Sequence, residues 1–127
     1  MRALAALLTA LAITFPSIAK SEILSSDDQI RQALVGNTIT GEENGESYTE
    51  FLHPDGRITG KDRQGSYTGH WQILSGQMCM RYSKGNVSGQ ETNWDCAQVE
   101  RDGSRIIWLG DGEMSFSNLI PGNPNKF

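Results

Sequence analysis

The sequence predicts a mainly β domain: an antiparallel meander of about eight short strands, closed into a small barrel or arranged as a sandwich, with one short N-terminal helix. Three observations carry that prediction. From Thr38 onward, apolar and polar residues alternate with a period of two, the period of a half-buried strand. The chain holds 14 glycines, and they punctuate the alternating segments. Tight-turn pairs recur at Ser75-Gly76, Asp102-Gly103 and Asp111-Gly112, which are hairpin signals.

Residues 1–19 carry one cation, Arg2, an apolar run over 3–15, and the small residues Ser17 and Ala19 at the recognition positions. This is the pattern of a secretory signal cut after Ala19. Its apolar stretch is shorter than the roughly 20 residues that cross a bilayer. The mature chain is therefore expected to be a single domain over 20–127, periplasmic or secreted and not inserted in a membrane.

The helix is expected to start at Ser26, a capping hydroxyl followed by Asp27 and Asp28 in the first turn, with Ile30, Ala33 and Leu34 on one face. Gly36 ends it. A helix this short is unstable alone in water, so its apolar stripe must cover something, most simply one end of a sheet. The strands are expected at 37–40, 47–53, 57–61, 66–74, 77–83, 92–100, 105–109 and 113–118. Between the second and third, Pro54-Asp55-Gly56 combines a fixed φ, an acid that bonds its own backbone and a residue free to take positive φ. The ending, Pro121-Gly122-Asn123-Pro124, reads as an extended tail.

Both cysteines, Cys79 and Cys96, fall on neighbouring strands. Two cysteines in an exported chain imply one disulfide, stabilising by roughly 3 kcal/mol through loop closure. If they face each other directly, Met78 opposes Ala97, Met80 opposes Asp95 and Arg81 opposes Trp94. Met78, Met80, Tyr82, Ala97 and Val99 then form an inner face. Arg81 over Trp94 is a cation–π contact outside. On the preceding strand Tyr67, Gly69, Trp71 and Ile73 point inward, and His70 belongs to the polar face.

A net charge of −4, more negative once Arg2 leaves with the signal, gives no basic field for phosphate backbones. Nucleic acid is excluded as a partner. His53 and His70 would flank the 57–61 strand from opposite sides, too far apart to share a metal, and no other ligand cluster accompanies them. No nucleophile elbow, phosphate loop or dinucleotide fingerprint occurs, so neither a metal nor a cofactor is expected. The candidate catalytic residues are His70 with Asp95 or Glu50. The candidate binding residues are Trp94, Arg81 and Trp71.

Gly36-Asn37-Thr38, Pro54-Asp55-Gly56-Arg57, Gly69-His70-Trp71, Cys79, Cys96 and Gly122-Asn123-Pro124 resemble the pattern of a family of small secreted proteins of unknown function in alphaproteobacteria. The resemblance implies a periplasmic location and supplies no catalytic residues. The chain is more loosely similar to the periplasmic metalloprotease inhibitors, which pair an exported small barrel with one disulfide. In those the Gly-x-Trp strand comes early, whereas here Gly69-His70-Trp71 follows three other strands.

The expected function is that of a non-catalytic periplasmic binding or accessory protein for a protein, sugar or other small-molecule partner. Two alternatives stand beside it: a hydrolase or lyase of the cell envelope using His70 with an acid, and an inhibitor of an exported protease.

Overall fold

The computed structural model describes residues 11–16, 20–83 and 89–127. The signal expected over 1–19 lies outside the described residues except for 11–16, which form neither helix nor strand. After strand β1 (Glu22–Leu24) and helix α1 (Asp27–Leu34) come eight strands: β2 (Thr38–Glu43), β3 (Glu46–Leu52), β4 (Arg57–Asp62), β5 (Gly65–Leu74), β6 (Gln77–Tyr82), β7 (Asp95–Asp102), β8 (Arg105–Gly110) and β9 (Glu113–Ile120). Each pairs antiparallel with the next, and β9 returns to pair with β2. The meander is therefore closed: the fold is a barrel and not a sandwich. Closure removes most of the exposed edge that an open sheet of short strands would present.

Turn chemistry sets the hairpins. Asn44-Gly45, Ser75-Gly76 and Asp111-Gly112 all have positive φ at both residues, from 49° to 79°, the twist that suits a two-residue hairpin. Asp55 accepts from the Arg57 backbone amide (3.1 Å) and holds the Arg57 guanidinium (2.7 Å), fixing the Pro54 turn.

The register across the disulfide is the expected one, Met78↔Ala97, Cys79↔Cys96 and Met80↔Asp95. Those three are the whole β6–β7 ladder. Where it stops, β1 takes over the same edge of β7, pairing Leu24 with Val99 and Glu22 with Arg101. Glu22–Leu24 is not among the strands expected from the sequence. It is in fact a patch in the barrel wall.

From β1 the chain turns directly into α1. Ser26 caps the helix by accepting from the Gln29 amide, and the Gln29 side chain accepts from the Ser26 amide in return. Asp27 accepts from the Gly76 amide (2.7 Å), tying the helix start to the β5–β6 turn. Ile30 and Leu34 are fully buried and meet Leu24, Ile39, Leu52, Ile58, Trp71, Met78, Val99, Ile106 and Leu119 in one cluster. The helix thus closes one end of the barrel, burying the stripe that could not stand in water.

The tail beyond β9 is folded back and not extended. Asn123 bonds both the amide and the carbonyl of Phe127, and Gly122 is held by Asn37 and Thr38.

Candidate functional site

Alternation along β3 puts Tyr48, Glu50 and Leu52 on one face, and closure makes that face the inside. Leu52 belongs to the apolar end under the helix. Glu50 and Tyr48 stand progressively further toward the opposite end, where the interior becomes polar. Glu50 accepts from the Tyr67 hydroxyl (2.8 Å) at one oxygen and from the Tyr82 hydroxyl (2.9 Å) at the other. Beside this trio, the Ser117 hydroxyl accepts from the Trp108 indole (2.8 Å) and shares a hydrogen bond with the Tyr48 hydroxyl (2.7 Å).

Three glycines make room for the three tyrosines. In the register Gly41 faces Tyr48, Gly60 faces Tyr67 and Gly69 faces Tyr82. A Cβ on Gly60 would lie 2.5 Å from the Tyr67 ring, and one on Gly41 2.7 Å from the Tyr48 oxygen. Each ring therefore lies flat across the strand opposite, which carries its hydroxyl to the acid or to Ser117. Gly60→Ala is expected to destabilise the protein by about 2 kcal/mol, because overpacking moves a ring that is anchored at its far end. An unchanged urea midpoint for Gly60→Ala would show that the ring has no fixed seat.

Burial dominates the electrostatics. It drives the Glu50 pKa up to about 7 against the pull of the two tyrosine bonds, and Glu43 adds to the rise. All three tyrosines are raised as well, first by burial and then by the Glu50 charge, although for Tyr48 the Ser117 bond lowers it and ranks ahead of that charge. The acid is 3% exposed, and its two oxygens already have partners.

A second cluster stands on the outer wall, over the disulfide. His70 on β5 faces Arg81 on β6. Glu91, brought back by the Ser83↔Glu91 bridge, reaches both: its one oxygen lies 2.5 Å from His70 Nδ1 and the other pairs with the Arg81 guanidinium. The same guanidinium sits over the Trp94 ring, 4.4 Å from its centroid. Arg81 thus touches an acid and an indole at once, with about a third of its side chain still open to solvent.

The candidate residues of the sequence are separated by this geometry. Arg81 and Trp94 come together as expected. His70 meets an acid, but it is Glu91, because Glu50 lies inside the wall and His70 outside it. Asp95 sits exposed at the start of β7, opposite Met80. Trp71 is a core residue, its indole donating to the His53 carbonyl (2.8 Å) under the helix. The tyrosine–glycine pairs were not singled out from sequence, although glycine and tyrosine at inward positions of adjacent strands are a legible signal. The connection between the expected strands 77–83 and 92–100 includes 84–88, which lie outside the described residues.

Among the described residues, no three His, Cys, Asp or Glu side chains stand close enough to hold a metal ion, and no helix is long and apolar enough to cross a membrane. The chain matches no known family model, no curated protein and no solved structure.

Proposed function

We propose that this chain is a non-catalytic binding or accessory protein of the bacterial periplasm, recognising a partner through the outer-wall cluster of His70, Arg81, Glu91 and Trp94. The observation that carries the reading is the contrast between the two polar clusters. In the interior one Glu50 is buried and both its oxygens are already bonded to tyrosines, which leaves a substrate no free carboxylate oxygen there. The outer one presents a positioned guanidinium and indole on a rigid wall, and arginine and tryptophan are the residues that most often dominate recognition surfaces.

The disulfide and the secretory pattern of residues 1–19 support the location. His70 beside Glu91 has the proximity an acid–base pair requires. However, the Glu91 carboxylate is shared with Arg81.

The test uses mature protein immobilised against exported proteins of its host, with Arg81→Ala and Trp94→Ala as controls. A partner held by the wild type and lost by both variants is expected, with stability changed by less than about 1 kcal/mol in Arg81→Ala, since partly exposed ion pairs contribute little. If that partner is a protease that stops cleaving when bound, the protein is an inhibitor. Turnover of an envelope glycan or ester that vanishes in His70→Ala would instead make it an enzyme and overturn the proposal.

A further inference from the structure

The barrel wall is split along one seam. The β2–β9 ladder runs from Thr38↔Ile120 to Gly41↔Ser117 and stops there. Beyond that point β2 continues to Glu43, paired only with β3, and β9 begins at Glu113, paired only with β8. Glu42 and Glu43 on one side and Glu113 to Phe116 on the other therefore each have one backbone edge without a ladder partner. Between the two edges is an open groove of about 560 Å³, lined by Gly41, Glu42, Arg105, Met114, Ser115 and Phe116.

Exposure marks the same place. The residues of β9 from Glu113 to Phe116 are exposed on both faces, whereas Ser117 is buried. Ser115 faces Trp108 and so occupies an inward position, yet it is open to solvent. Met114 and Phe116 are among the most exposed large apolar side chains of the barrel.

We propose that this seam is a docking slot for an extended, basic segment of another protein, which would add a short strand between β2 and β9. A strand edge offers alternating amides and carbonyls, and an extended backbone is the partner that satisfies both kinds of group at once. Four residues of β9 edge span about 13 Å, the length of a short added strand. Met114 and Phe116 give apolar side chains of the incoming segment a surface.

Charge selects the occupant. Glu42, Glu43, Glu46 and Glu113 stand at this corner, and the cation lining the groove, Arg105, is stacked 4.1 Å over Phe116. Two copies of the chain joined through this edge would bring the same carboxylates together. Charged side chains on a strand edge commonly block such self-pairing, and here they attract lysine or arginine in a different partner. The slot is separate from the His70–Arg81–Trp94 face and does not depend on it.

The experiment titrates isotope-labelled mature protein with a synthetic ten-residue peptide of alternating lysine and valine. Two controls accompany it: the same peptide N-methylated at alternate amides, and an alternating glutamate–valine peptide. The expected result is amide shifts and slowed hydrogen exchange at 42–43 and 113–116 with the lysine peptide, weakening as salt is added. At least tenfold weaker binding is expected for the N-methylated peptide, and fivefold or more for Glu42→Lys or Glu113→Lys protein, both changes being at exposed positions. Equal binding of the glutamate peptide would overturn the proposal, as would shifts confined to the Arg81–Trp94 wall. Slowed exchange at 42–43 and 113–116 in a self-associated protein without peptide would also overturn it, by making a second copy the occupant.

Discussion

Glu50→Gln should abolish a fall in stability of about 3 kcal/mol that the wild-type protein undergoes as pH rises from about 4.5 to above 7. The acid titrates near 4.5 when unfolded and near 7 in the barrel, so between those values the folded state holds the proton more tightly. Its contribution is fully present below the unfolded pKa and is lost as pH climbs through the folded one. A shift of this size corresponds to roughly 3 kcal/mol. The physical cause is desolvation: ionising Glu50 places a charge inside the barrel, and two tyrosine hydroxyls offset only part of what water supplied. Glutamine keeps the shape and cannot ionise.

Other groups also titrate, and His53 acts in the opposite direction. Burial and then Arg57 lower its pKa, so it adds stability as pH rises through its range. The informative quantity is therefore the difference between wild type and variant across pH, in which His53 cancels. Urea midpoints at pH 4.5 and pH 8 suffice. Curves that stay parallel would show that Glu50 ionises in the barrel as easily as in water.

How much of this was legible beforehand depends on the range over which each feature is determined. The capped helix, the turns and the Cys79–Cys96 register are set by residues close in sequence or by a covalent constraint, and each could be read from the chain. The three residues Glu22-Ile23-Leu24 could not be assigned, because their pattern is too short to have a period and their partner, β7, is distant. The inward parity of Glu50 follows from simple alternation along β3. Its bonds to Tyr67 and Tyr82 depend on rings lying across Gly60 and Gly69, and that depends on the register of three successive strands. Glu91 could be named among the acids available to His70, but nothing in its spacing required the contact: the two stand 21 residues apart and meet through the Ser83↔Glu91 bridge. The barrel was the expected closure of so many sequential hairpins, with a sandwich as the alternative, and what separates the two is β2 meeting β9 from opposite ends of the domain.

Replacing both Cys79 and Cys96 by alanine is expected to lower stability by about 3 kcal/mol, the loop-entropy value for a cross-link with a sequence separation of 17. The position of the bond makes the consequence local as well as global. The β6–β7 ladder has three residue pairs, and it is the junction at which the meander gives way to the β1 patch. Without the bond, this junction is held by the isolated Ser83↔Glu91 bridge and by the Arg81 contacts to Glu91 and Trp94, which are partly exposed interactions of small individual value. Hydrogen exchange in the double variant should therefore rise first at 78–80 and 95–97, below the threshold for global unfolding, while the β3–β4–β5 strands around Glu50 keep their protection. Cys79 is 1% exposed and Cys96 is partly exposed, so reduction of the native protein should quicken when mild urea opens this junction. A double variant with the wild-type urea midpoint and uniform exchange would mean that the wall is closed without its covalent link, and that the Arg81–Trp94 surface owes its rigidity to the ladder alone.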